Sequence, residues 1–185
     1  MSLEHAILGF LNYRPFSGYD LKKIFDTSVQ HFWPADQSQI YRTLSRLAEK
    51  GFAEAERVRQ ENRPDRKDYH ITQAGKEELK NWLKTPLPFE ENRSSEMVQV
   101  FFAGQLSNEE AAEMFERVAE YLRAGLAVYD SIPQDVDTYA DITTSPREFY
   151  FWMLTLDAGN AIAKANIEWL ESVVEKIRNG QVPEE

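Results

Sequence analysis

Apolar residues recur at helical spacing along most of this chain, and the period changes once near the middle of its first half. Leu3, Ala6, Ile7, Phe10 and Leu11 predict a helix over residues 3–13. Ser17 is placed to cap a second helix, with Asp20 at the capping-box position and Leu21, Ile24 and Phe25 turned inward. Ile40, Leu44 and Leu47 put one apolar face on a helix over 37–50, leaving Ser38, Tyr41, Arg42, Ser45 and Arg46 on the opposite side and flanks. Asp36 with Gln39 makes a capping box in front of it, and Gly51 ends it. The period then shortens. Phe52–Val58 alternates loosely and Asp68–Thr72 alternates again through Tyr69 and Ile71, which predicts two strands. The connection between them, Glu61-Asn62-Arg63-Pro64-Asp65-Arg66, has turn chemistry, and Arg63, Arg66 and Lys67 make that turn basic. Thr72 caps a fourth helix carrying Leu79, Trp82 and Leu83, and Thr85-Pro86-Leu87-Pro88 breaks the pattern.

Three helices are expected after the break. The first covers 93–105, with Met97, Val98, Val100, Phe101 and Phe102. The second starts at a Ser107/Glu110 capping box and reaches about Ser131, with a stripe of Ala111, Phe115, Val118, Leu122, Leu126 and Tyr129. The third begins at Ser145-Pro146-Arg147-Glu148, with Ser at the N-cap, Pro at the first helical position and Glu at the third, and runs to about Gly180. It carries two seven-residue series: Phe149, Leu156, Ala163, Leu170 and Ile177, then Met153, Asn160, Ile167 and Val174. More than one apolar stripe is more than a small helical domain can cover. Phe149, Leu156, Ala163, Ile167, Leu170, Val174 and Ile177 are therefore expected to meet a second copy of the chain.

Charge sharpens the division. The formal net charge is −10, yet residues 1–84 carry 14 Lys and Arg against 12 Asp and Glu, and residues 85–185 carry 7 against 19. The acidity lies almost wholly in the second half, so it does not bar the first from an anionic partner, because phosphate affinity depends on local cations. A helix leading into a basic hairpin is the layout of a winged helix-turn-helix, whose helix enters a DNA major groove while the hairpin reaches the neighbouring backbone. The expected architecture is mostly α with a small β-hairpin: a winged helix-turn-helix over 1–84, a linker over 85–92 and a helical dimerisation domain over 93–185. The candidate DNA-binding residues are Ser38, Gln39, Tyr41, Arg42, Ser45, Arg46, Arg63, Arg66 and Lys67.

At these positions the chain resembles the PadR family of bacterial transcription regulators. The likeness runs through Ala6-Ile7-Leu8-Gly9-Phe10-Leu11, Pro15-Phe16-Ser17-Gly18-Tyr19-Asp20-Leu21, Trp33, Gln39-Ile40-Tyr41, Gly51, Arg63-Pro64-Asp65-Arg66-Lys67-Asp68-Tyr69, Gly75 and Trp82-Leu83. It covers about the first 84 residues. Members often carry Pro after the Ile-Tyr pair, where this chain has Arg42. The resemblance implies a homodimeric repressor that binds a double-stranded operator, with the C-terminal helices of the longer subgroup as the dimerisation element. It also implies a small aromatic effector held between the two domains, for which Trp33, Phe101, Phe102, Tyr150 and Trp152 are the candidate lining.

Other classes are disfavoured. No glycine-rich phosphate loop or G-x-S-x-G elbow is present, and His5, His31 and His70 are scattered without metal-ligand spacing. Neither an enzyme nor a cofactor is expected. Cysteine is absent, which suits a reducing cytoplasm, and no apolar run approaches the roughly 18 residues of a membrane span. The alternative is a winged-helix module for protein–protein assembly that binds no specific DNA, with the acidic half as its working surface.

Overall fold

The computed structural model describes residues 2–30, 32–59, 66–86, 94–134 and 136–183. The expected turn at Glu61–Asp65, with Arg63, and most of the expected linker lie outside the described residues. The chain forms two compact units, Met1–Phe89 and Glu90–Glu185.

In the first unit the elements are α1 (Ser2–Tyr13), β1 (Phe16–Ser17), α2 (Gly18–Thr27), α3 (Gln37–Glu49), β2 (Ala53–Val58), β3 (Arg66–Ile71) and α4 (Gln73–Lys84). The strands form an antiparallel sheet of order β1-β3-β2. The two-residue strand β1 is absent from the sequence expectation, since a pair of residues has no periodicity to read; Phe16 pairs with Tyr69 and Ser17 with Asp68. Arg66 and Lys67, expected on the turn, belong to β3, opposite Val58 and Arg57. α1 is buried on more of its surface than its apolar stripe implies, because α3, α4 and β3 all pack on it. Ile7, Leu8 and Leu11 are inaccessible, and so are Glu4 and His5. His5 stacks on Trp82 at 4.4 Å between ring centroids and its Nε2 lies 3.1 Å from Glu78 Oε1.

The junction of α3, the wing and α4 is a backbone knot. Gly51, with φ of 73°, lets the chain leave α3 in a Schellman turn: Phe52 N–H donates to Leu47 O and Gly51 N–H to Ala48 O. Thr72 caps α4 by accepting from Gly75 N–H, and its hydroxyl donates to Gly51 O at 2.7 Å. Thr72 N–H donates to Phe52 O. That carbonyl presses on Gly75, where a Cβ would stand 2.1 Å from it.

The second unit contains α5 (Ser95–Phe102) with a 3-10 turn over Ala103–Gln105, α6 (Asn108–Asp130), a 3-10 turn over Val136–Tyr139, and α7 (Pro146–Arg178). Both expected helix starts are present: the Ser107/Glu110 capping box and the Ser145 cap followed by Pro146. α6 and α7 run antiparallel, with Glu116 paired to Arg178 and Arg123 to Glu171, and Tyr129 lying over Gly159. Ala112 and Ala119 bring the helices close, and Phe115 fills the space beside Leu170, Val174 and Ile177.

That packing bears on the residues expected at a dimer face. Leu156, Leu170, Val174 and Ile177 are 4–9% exposed within a single chain, and the last three pack against α6. Phe149, Ala163 and Ile167 are half-buried. Among the described residues apolar surface stays open on α5, which buries none of its residues, on Tyr121 and Val128 of α6, and on Tyr150, Phe151, Leu154, Ile162 and Trp169 of α7.

Two stability outcomes follow. Gly75→Ala must displace the Phe52 carbonyl and should cost about 3 kcal/mol, the upper end of ordinary overpacking, read as a lower urea midpoint. Leu170→Ala should cost about 3 kcal/mol by leaving a cavity between α6 and α7. A midpoint unchanged from wild type in either variant would contradict this packing.

Candidate nucleic-acid interface

The outward face of α3 is set by what its inner face buries. Ile40, Thr43, Leu44 and Leu47 are enclosed, with Thr43 an addition to the expected set. Ser38, Gln39, Tyr41, Arg42, Ser45 and Arg46 are exposed. Exposure does not leave them equally available. Ser38 Oγ donates to Asp36 Oδ1 at 2.7 Å, and Gln39 Oε1 accepts from Asp36 N–H at 2.9 Å while Gln39 N–H donates to Asp36 Oδ1. Both side chains close the capping box. The Ser38 hydroxyl, then the Gln39 amide, hold the Asp36 carboxyl below its ordinary range. A depressed carboxylate stabilises above its unfolded value and is lost only as pH falls through its folded one, so the start of α3 stays capped at neutral pH.

Tyr41, Arg42 and Ser45 remain. The Tyr41 ring lies on Gly18 at the start of α2, where a Cβ would be 2.7 Å from it. The ring is held while remaining 42% exposed. Arg42 Nε donates to Ser38 O at 3.3 Å, and its two terminal nitrogens make no hydrogen bond among the described residues. Arg46 differs. Its Nε is 2.8 Å from Glu4 Oε1, and another of its nitrogens donates to Thr43 Oγ1.

On the wing, Arg66 also faces inward. It lies 2.6 Å from Asp68 Oδ2 and 3.8 Å from Asp20 Oδ2, which ties β3 to the start of α2. Lys67 is exposed, with Nζ 5.1 Å from the Tyr69 ring centroid. Its cross-strand partner is Arg57. Arg57 and Arg59, both exposed, are absent from the sequence-derived site; alternation puts Arg57 on the same face as the buried Ala53, so the pattern gives no sign that it is open.

Of the five aromatic candidates for an effector, one lies in the first unit and four in the second. Trp33 belongs to the first unit and is 37% exposed. Phe101 meets Phe102 edge-on, Tyr150 meets Phe151, and Trp152 packs against Tyr139 at 6.0 Å. The second unit holds a cleft of about 440 Å³ between the start of α6 and the end of α7, lined by Leu106, Ser107, Asn108, Phe115, Val173 and Ile177 among others; none of the five aromatics lines it. Among the described residues no group of acidic, His or Cys side chains is placed to hold a metal, and no helix is long and apolar enough to cross a membrane.

Comparisons with known proteins agree with this arrangement. Residues 7–81 match the transcriptional regulator PadR-like family, and residues 92–178 match the family described as virulence activator alpha C-term. The negative transcriptional regulator PadR of Bacillus subtilis strain 168 is 30% identical over 176 residues, covering 95% of this chain and 97% of that one. The crystal structure of Bacillus subtilis PadR with operator DNA superposes with a TM-score of 0.80 at 30% identity, over 96% of this chain and 99% of the other. The same protein with p-coumaric acid gives 0.76 at 30% identity, with the same coverage. The Vibrio cholerae virulence activator AphA gives 0.72 at 27% identity, over 97% and 99%. The chain is a transcriptional regulator belonging to the PadR-like family.

Proposed function

We propose that this regulator is a cytoplasmic homodimeric repressor, binding a double-stranded operator through the N-terminal end of α3 and the wing, and released by a small aromatic effector. The observation that carries the DNA reading is the placement of Arg42 near the N-terminal end of α3 with its guanidinium edge open, together with the exposed Lys67 on the wing. An open guanidinium edge suits the paired acceptors of guanine, and an exposed strand cation suits a phosphate. The winged helix presents the N-terminal end of α3 to a groove, and a symmetric dimer presents two such ends about one or two duplex turns apart.

The dimer is supported by α5. Its sequence is largely apolar, yet Met97, Val98, Phe101 and Phe102 are each more than half exposed. A contiguous apolar helix face on a single chain marks an interface. Repression is supported by the relative named a negative regulator, and an aromatic acid as effector by the relative solved with p-coumaric acid.

Three outcomes test these parts. Arg42→Ala should relax preference at one operator position in each half-site by about 1–3 kcal/mol and change random-duplex binding little, measured by fluorescence anisotropy on single-base operator variants. A uniform loss across all sequences would assign Arg42 to the backbone instead. Lys67→Ala should lower the slope of log affinity against log salt by roughly 0.9, and an unchanged slope would remove the wing from the DNA. Phe101→Glu, at a side chain 81% exposed, should leave a chain that still melts cooperatively, at a midpoint lowered by the lost association, while sedimentation shows monomers. A dimer that survives it does not use α5.

A further inference from the structure

Arg42, Arg46 and Lys50 lie four residues apart along α3 and form one basic stripe running from its N-terminal turn to its C-cap. The two ends of the stripe are in different states. Arg42 has an open guanidinium edge. Arg46 and Lys50 converge on one carboxylate, that of Glu4 in the first turn of α1, at 2.8 Å for Arg46 Nε and at 2.9 and 3.1 Å for Lys50 Nζ. The Glu4 side chain is 6% exposed, whereas those of Arg46 and Lys50 are 51% and 36% exposed. The acid is fixed in the α1–α3 contact, and the cations are long side chains at the surface that it holds inward.

We propose that Glu4 is a specificity-determining residue, which withholds Arg46 and Lys50 from DNA phosphates and confines the usable positive charge of α3 to Arg42. The proposal rests on the operator-binding reading above. Phosphate contacts attract every duplex alike, while base contacts discriminate. A helix with three free cations would gain affinity for any sequence. With two of them held inward by a single carboxylate, α3 depends on the residue at its inserted end. The first 84 residues carry only two more cations than acids, so releasing two side chains is a large change in the charge offered to DNA.

Glu4→Gln keeps the shape of the side chain and removes its charge. Arg46 and Lys50 then repel each other at one-turn spacing and are free to turn outward. Two added phosphate contacts should steepen the slope of log affinity against log salt for random duplex by about 1.8. The gain over wild type should then be about tenfold larger at 50 mM salt than at 200 mM, and the ratio of operator to random-duplex affinity should fall.

Lys50→Gln separates release of these side chains from a change of net charge, because it leaves Glu4 paired with Arg46. In the wild-type background it should leave random-duplex binding and its salt slope unchanged. In the Glu4→Gln background it should lower the slope by about 0.9. An equal effect of Lys50→Gln in both backgrounds would overturn the proposal, as would a Glu4→Gln protein that melts cooperatively and keeps the wild-type slope. If Glu4→Gln does not fold, Lys50→Gln alone decides: a lower slope in the otherwise wild-type protein means that Lys50 already meets phosphate and the proposal fails. Wild-type protein that binds no duplex at 50 mM salt would sink the operator-binding reading and the proposal with it, whereas wild-type binding with unchanged variants sinks the proposal alone.

Discussion

Both DNA-reading elements take their position from the burial of α1. One side of that helix fixes α3 through the core around Ile7, Leu8, Ile40 and Leu44, and another carries β3 of the wing. A helix enclosed by three neighbours cannot shift without opening the core on every side, because interiors packed at crystal-like density resist small displacements. This explains why polar groups on α1 are so closely matched. Glu4 meets two cations, and His5 meets both a carboxylate and an aromatic face. A buried polar group without such partners would cost free energy comparable to a lost hydrogen bond or more.

Much of the fold was legible in the sequence because its signals are local. The capping boxes at Asp36/Gln39 and Ser107/Glu110, the Ser17, Thr72 and Ser145 caps and the stop at Gly51 each depend on residues a few positions apart, and all are present. The candidate site was legible only as a list of outward-facing residues. What it lacked was partner information. Arg46 and Arg66 look like free surface cations in the sequence, and carboxylates 42 and 46 residues away from them occupy their inner sides. No periodicity within α3 carries the Arg46 pairing, since Glu4 belongs to α1; the nearer partner of Arg66, Asp68, lies two residues along β3, and only the longer contact to Asp20 crosses to α2. Strand β1 was missed for a related reason, being two residues long and defined only by its partner.

The C-terminal helices carry a pattern with two uses. Heptad series along α7 suggested a seam between chains, and the same spacing serves equally well for packing on an antiparallel neighbour in the same chain. Ala112 and Ala119 on α6 decide between them: small residues there allow close approach, and Leu170, Val174 and Ile177 fill the gap. The stripe of α6 is accordingly displaced from the expected one toward these alanines. An apolar face left over after that pairing is the better guide to an interface, and α5 leaves one, as does the side of α7 that carries Phe151, Leu154 and Ile162.

The backbone knot that joins the end of α3, the root of the wing and the start of α4 has a mechanical meaning. Phe52 O bonds Thr72 N–H and abuts Gly75, while Thr72 bonds Gly51 O, so three elements share one small set of peptide groups. They move as one lever. A push delivered at the far end of α4 is not absorbed by bending between reader and wing; it swings the whole reading head. In the symmetric dimer proposed above, the quantity left for a regulatory signal to adjust is the stride between the two heads, and a duplex with a fixed helical repeat is sensitive to stride.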